Sequence, residues 1–149
     1  MTSGDSRSVL LSVVSPMHNG SLYLEAFLQS VLRQSFSSFE LIMVDDGSTD
    51  DSAQIIQNYQ NKDSRIRLIR QTQKGAGSAR NLGLSQAQGQ YIIFLDCDDW
   101  FCKEFFKTMI DRIERDRSDV AVCEFFIYDQ KTNEARRSRI VKEVLSEIA

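Results

Sequence analysis

FELIMVDDGSTDDSAQIIQNYQ (Phe39–Gln60) passes from an apolar run into acids and turn formers, then into a helix-like stretch. Phe39–Val44 is short, β-rich and apolar apart from Glu40, which reads as a strand. In the acidic stretch that follows, Gly47 permits a tight turn, and Ser48 or Asp50 can cap the next element. Ser52–Gln60 reads as that helix. The turn explains Ser48, Thr49 and Asp50. It does not require two adjacent acids, Asp45 and Asp46, at the end of a strand. A carboxylate placed there can accept the N–H of a nucleobase or the hydroxyls of a ribose.

The same alternation extends in both directions. Upstream, SVLLSVVSP (Ser8–Pro16) is short, β-branched and apolar, ended by proline, and reads as a buried strand. Ser21–Gln34 places Leu24, Phe27, Leu28, Val31 and Leu32 at helical spacing, with Ser21 as N-cap. Downstream, the predicted elements are a half-exposed strand over Arg65–Arg70 and a helix over Gly77–Gly89 closed by Gly89. A strand over Gln90–Leu95, an amphipathic helix over Lys103–Asp116 and a strand over Asp119–Tyr128 follow. A final helix is expected over Ser138–Ala149, and the polar Asp129–Arg139 reads as a loop or a broken edge. Strands alternating with helices mean βαβ units. The predicted fold class is α/β, with a mostly parallel Rossmann-like sheet and helices on both faces. Such sheets bind ligands at the carboxyl ends of their strands. Strand polarity therefore gathers Pro16 and His18, Asp45 and Asp46, and Asp96, Asp98 and Asp99 on one edge.

Composition excludes several classes. The chain has 149 residues, which suits one domain, and 42% hydrophobic with 26% charged residues is ordinary for a globular protein. A net charge of −3 supplies no basic field for nucleic acid. No apolar run approaches the roughly 20 residues of a membrane span. The first residues lack the apolar stretch of a signal peptide. Three cysteines, an odd number with no CxxC pair, fit a reducing cytoplasm and no zinc site.

YIIFLDCDDW (Tyr91–Trp100) carries the chemistry most plainly: an apolar strand ends in Asp96, Asp98 and Asp99. Like charges this close repel and call for a partner. Hard oxygen ligands suit Mg²⁺ or Mn²⁺, which typically takes one or two protein carboxylates and fills its other positions with water and substrate phosphates. The competing reading makes these aspartates helix caps or solvated side chains. KGAGSARNLG (Lys74–Gly83) sets Arg80 near a helix start, where it can offset the aspartates or hold a diphosphate.

LSVVSPMHNGSLYLEAFLQSVLRQSF, FELIMVDDGSTDDS and GAGSARNLGLSQAQGQYIIFLDCDDW, in that order over about Leu11–Trp100, resemble the family 2 glycosyltransferases of GT-A fold. The resemblance implies transfer of a sugar from a nucleotide-diphospho-sugar, with UDP the commonest nucleotide, to a saccharide or lipid-linked acceptor. It implies an inverting, metal-dependent reaction in surface polysaccharide or glycoconjugate synthesis. Pro16 would line the nucleotide pocket. Asp45 or Asp46 would contact the base. Arg80 would lie near the donor, Asp96 would contact ribose or sugar and share the metal, and Asp98 would be a direct metal ligand. His18 stands where the family usually has Tyr or Phe; its imidazole can stack on a base. The family's acceptor half and general base would lie beyond residue 149, so the chain reads as the N-terminal, donor-binding part of a longer enzyme. The implied location is the cytoplasm, with peripheral association at the inner membrane face. The basic Ala135–Arg139 could touch anionic lipid or be a solvated patch.

Three other readings compete. A haloacid-dehalogenase-type phosphatase would use Asp96 as nucleophile, but Asp99-Trp100 replaces the small residue and threonine of that pattern. A dinucleotide-binding loop is suggested by Gly75–Arg80, but Arg80 stands where close packing wants glycine. A non-catalytic donor-binding module would account for the missing base.

Overall fold

A computed structural model of the chain describes residues 9–138. The chain divides into two compact units, the first ending at Phe105 and the second starting at Phe106. The first contains β1 (Leu11–Met17), α1 (Ser21–Leu32), β2 (Phe39–Asp46), α2 (Ser52–Gln60), β3 (Ile66–Gln71), α3 (Ala76–Ser85) and β4 (Tyr91–Phe94). All residues of β1 and β2 are buried. This is the pattern of central parallel strands covered on both faces, and it explains their near-continuous apolar runs.

The sheet order is β3-β2-β1-β4. β1 pairs in parallel with β2, from Leu11↔Phe39 to Met17↔Asp45, and with β4, from Leu11↔Tyr91 to Val14↔Phe94. β3 adds in parallel to β2. The chain thus steps outward through β2 and β3, then crosses back to the other side of β1. Right-handed crossovers put α1 and α2 on one face and α3 on the opposite one. The loops leaving β1 and β4 therefore diverge, and a crevice opens between them.

Leu24, Phe27, Leu28 and Val31 of α1 are fully buried, each contributing about 1.5–3 kcal/mol of apolar burial. On the α3 face, Val14, Ile42, Val44 and Ala79 form a cluster flanked by Ile69, Leu82 and Ala87. α3 lies so close to the sheet that a Cβ on Gly83 would stand 2.4 Å from Val14 Cγ1 and 3.1 Å from Val44 Cγ2. Beneath it, buried Glu40 accepts hydrogen bonds from Ser12 Oγ (2.7 Å), Gln88 N (2.7 Å) and Arg67 Nη1 (3.1 Å). That network ties the α3–β4 connection to β1 and β2, and it satisfies a charge that would be costly if buried alone.

Several expected boundaries move. Ser21 begins α1 but does not cap it; Gly20 holds that position, and no side chain of its own caps the helix. α3 ends at Ser85 with Gln86 as its C-cap, not at Gly89. Gly89 belongs to the entry into β4, where a Cβ would stand 2.5 Å from Ser12 N.

In the second unit, α4 (Phe105–Asp116) buries Phe106 and Ile110. Asp119–Tyr128 is not one strand. Only β5 (Phe126–Asp129) is extended and paired, antiparallel to β6 (Glu134–Arg137). Lys131 N donates to Asp129 Oδ1 at 2.8 Å, an Asx-type turn that closes the hairpin locally inside the stretch expected to be a loop. The helix expected over Ser138–Ala149 lies, from residue 139 on, outside the described residues.

The close approach at Gly83 is testable. Gly83→Ala is expected to lower stability by about 1–3 kcal/mol through overpacking. At an unobstructed helix position the same change would raise stability by about 0.5–1 kcal/mol. Urea unfolding decides between them, and a midpoint at or above that of the wild type would contradict the packing described.

Candidate functional site

At the carboxyl ends of β1, β2 and β4 lies a cleft of about 380 Å³. Its walls include Pro16, His18, Asp46, Arg80, Asp96 and Asp98. Asn19 and Tyr23 also line it, and neither was singled out from sequence. Tyr23 could have been noticed as an exposed aromatic off the buried stripe of α1.

The two adjacent aspartates of β2 part company because successive side chains of a strand point to opposite faces. Asp45 faces its register partner Arg70, whose Nε donates to Oδ2 at 3.1 Å; Ser48 N donates to Oδ1 at 2.8 Å. It closes the β2–α2 turn, where Gly47 takes φ 75°, and it is not among the residues lining the cleft. Asp46 faces the α3 side and lines the cleft. Its Oδ1 accepts from Gln71 Nε2 (2.6 Å) and Lys74 N (2.8 Å), and its Oδ2 from Gly75 N (2.8 Å). The Gln71 bond, with the Lys74 amide next, outweighs desolvation and holds this carboxyl below its ordinary range. Asp46 is therefore an ionised acceptor that shapes the β3–α3 loop.

Asp50 performs a related task one loop away. Its Oδ1 accepts from Ser52 N at the start of α2 (3.0 Å), and its Oδ2 from Ser21 N at the start of α1 (3.1 Å). One carboxylate thus serves two helix N-termini, where free N–H groups and the helix dipole favour negative charge. Desolvation acts to raise its pKa, but the donors of Ser52 and Ser21 prevail and hold it far below the ordinary range. This explains why α1 does without a cap from Ser21.

The loop after β4 is different. Arg80 Nη2 donates to Asp96 Oδ1 at 2.5 Å, so α3 supplies a cation to the first of the three carboxylates. Among the described residues, no cationic side chain pairs with Asp98 or Asp99. The Asp99 carboxyl is pushed above its ordinary range, first by lost hydration and then by repulsion from Asp98 and Asp96. Cys97 between them is pushed up to about 11 by burial and by the neighbouring carboxylates, Asp98 foremost, which keeps its thiol protonated and inert at neutral pH. Among the described residues, no group of three or more His, Cys, Asp or Glu side chains forms a metal cage by itself. A magnesium-type ion does not need one: one or two carboxylates suffice when a substrate's phosphates complete the coordination. Oxygen donors carrying under-compensated negative charge fit Mg²⁺ or Mn²⁺.

The model of Glycosyl transferase family 2 matches residues 12–148. The chain belongs to this family. It is similar to the uncharacterized glycosyltransferase EpsJ of Bacillus subtilis (strain 168), at 38% identity over 117 residues, 78% of this chain and 34% of that protein. It is also similar to TarS of Staphylococcus aureus, whose residues 1–349 were solved in complex with UDP; that match has TM-score 0.69 and 35% identity and covers 74% of this chain and 33% of that one. The same protein solved with UDP-GlcNAc gives TM-score 0.70 at 36% identity. A mannosyltransferase from Pyrobaculum calidifontis, in complex with GDP-Man and Mn²⁺, shares the fold at TM-score 0.65 and 21% identity, covering 69% of this chain and 32% of that one. This family 2 chain spans about a third of the length of these relatives. Among its described residues, no helix is long and apolar enough to cross a membrane.

The double helix-start contact of Asp50 gives the family 2 chain a pH signature. Its folded pKa lies below the unfolded value of about 3.9, so its stabilisation is complete above about pH 4 and declines as pH falls below that. Asp50→Asn, which removes the charge facing two helix starts, is expected to cost about 0.3–1 kcal/mol at pH 7. The difference from wild type should narrow at pH 3. Denaturant titrations at both pH values test this, and an undiminished difference at pH 3 would contradict it.

Proposed function

We propose that this chain binds the nucleotide-diphospho-sugar donor of an inverting, metal-dependent glycosyltransferase, with UDP as the nucleotide. The observation that carries this reading is the cleft at the crevice between β1 and β4, where Asp46, Arg80, Asp96 and Asp98 converge in a family 2 chain. Support for UDP comes from TarS, solved with UDP and with UDP-GlcNAc at 35–36% identity.

Each residue has a task that its environment suits. Pro16 forms part of the wall beside the nucleotide. Asp46 Oδ2 accepts one hydrogen bond from Gly75 N and retains lone-pair capacity for a nucleobase N–H. Asp45 acts from the other face, by holding the turn that carries Asp46. Arg80 orients Asp96 toward ribose or sugar and adds positive charge near the diphosphate. Asp98, with Asp96, would hold Mn²⁺ or Mg²⁺, which when bound neutralises charge on the leaving diphosphate. In the transfer itself, an acceptor hydroxyl attacks the anomeric carbon from the face opposite the diphosphate. The C–O bond to the diphosphate breaks with its electron pair, and a general base takes the hydroxyl proton. We place that base, and the acceptor site, outside this chain. For the acceptor we propose a polymer or glycoconjugate; one relative, TarS, is named a poly(ribitol-phosphate) β-N-acetylglucosaminyltransferase, which supports that class.

Calorimetric titration with UDP in the presence of Mn²⁺ tests the reading. Asp98→Ala is expected to weaken binding by about tenfold or more, roughly 1.4 kcal/mol, and to remove its dependence on Mn²⁺. Equal affinity and equal metal dependence in both proteins would take Asp98 out of the metal role.

A further inference from the structure

His18, the chain's one histidine, is exposed and lines the cleft, yet both of its ring nitrogens are engaged. Nδ1 lies 2.9 Å from the Asp46 carbonyl oxygen. A carbonyl only accepts, so Nδ1 carries the hydrogen. Nε2 lies 3.3 Å from Asn19 Nδ2 and 3.3 Å from Gln73 Nε2. Amide NH₂ groups only donate, so Nε2 presents its lone pair. Asn19 cannot reverse its amide at no cost, because its Oδ1 already accepts from Thr49 N (2.8 Å) and Asp50 N (3.3 Å). Its backbone is also committed: it takes φ 52°, and its N–H donates to Ser48 Oγ at 3.0 Å.

We infer that His18 is a positioning residue: as a neutral Nδ1–H imidazole it fastens together the three loops that rim the donor cleft. Those loops leave β1 (His18 and Asn19), β2 (the Asp46 carbonyl) and β3 (Gln73). By gripping the Asp46 backbone, the ring holds the Asp46 carboxylate against the amides of Lys74 and Gly75. The cleft is then shaped before ligand arrives, which spares the ordering cost on binding. This inference rests on the donor reading above for its consequence, though not for its geometry. It differs from a stacking role: any flat aromatic can stack on a base, whereas only a side chain with a donor at the Nδ1 position can make this tie.

The test has a ligand-free arm and a ligand arm. Nitrogen-15 NMR at pH 8 reads the single imidazole without ambiguity. A protonated Nδ1 and an unprotonated Nε2 are expected, and the opposite tautomer would overturn the proposal. In His18→Phe, the Lys74 and Gly75 amide hydrogens should exchange faster. In His18→Asn, whose amide reaches the Nδ1 position, their protection should be largely restored. Losing one hydrogen bond of ordinary strength predicts UDP binding weakened by about tenfold in the Phe variant and recovered in the Asn variant. Unchanged exchange and unchanged UDP affinity in the Phe variant would overturn the tie. If the wild type failed to bind UDP while the tautomer and exchange results held, the donor reading would fall and the tie would stand.

Discussion

The placement of β1 between two parallel neighbours is the constraint from which the site follows. Strands pair with both of its edges over Leu11–Val14 and helices cover both of its faces, so Leu11–Met17 are apolar or small, and every residue is buried. Because β2 and β4 run in the same direction as β1, their carboxyl ends share one edge of the sheet. Because β4 is reached by crossing back over β1, the loops after β1 and β4 separate instead of covering each other. An antiparallel β4 would carry Asp96 and Asp98 away from Pro16 and Asp46. The crevice is a product of topology first and of side chains second.

On that edge the carboxylates are not equivalent, and period-two geometry sorts them. Asp45 and Asp46 are consecutive, yet one braces the β2–α2 turn from the α1–α2 face and the other organises the β3–α3 loop from the α3 face. Asp50 meets the starts of two helices. Asp96 has Arg80. The protein itself therefore supplies donors to most of its acidic rim, while among the described residues no cationic side chain pairs with Asp98 or Asp99. The upward shift at Asp99 comes first from lost hydration and then from repulsion by Asp98 and Asp96. An acidic rim is thus two systems in one: Asp45, Asp46 and Asp50, which build the loops, and Asp96 and Asp98, which the proposed metal would share.

Much of this was legible in the sequence, because strand polarity and apolar runs are strong signals. The order of the elements through β4 and the gathering of Pro16, Asp46, Asp96 and Asp98 at one cleft follow from them. The comparisons add the family and the GT-A fold. What could not be read was set by contacts between distant segments. Ser21 looks like a cap, but a carboxylate from the next loop, Asp50, satisfies its amide instead. Gly89 looks like a helix terminator, but it is glycine because β1 passes too close for a side chain. Asp119–Tyr128 has a strand's composition along its whole length, yet the turn at Asp129 folds its end back on Glu134–Arg137 as a local hairpin. His18, read from sequence only as a ring that can stack on a base, makes its three contacts only after three loops have converged.

The central claim is that the common carboxyl edge of β1, β2 and β4 receives a nucleoside diphosphate with its divalent cation. Amide chemical-shift mapping of the labelled chain with UDP and Mg²⁺ tests it most directly. The account predicts saturable shifts at Met17–Gly20, around Asp46, through Lys74–Arg80 and at Asp96–Asp98, all dependent on the cation. Shifts confined to the opposite ends of the strands, or to residues 106–138, would contradict it.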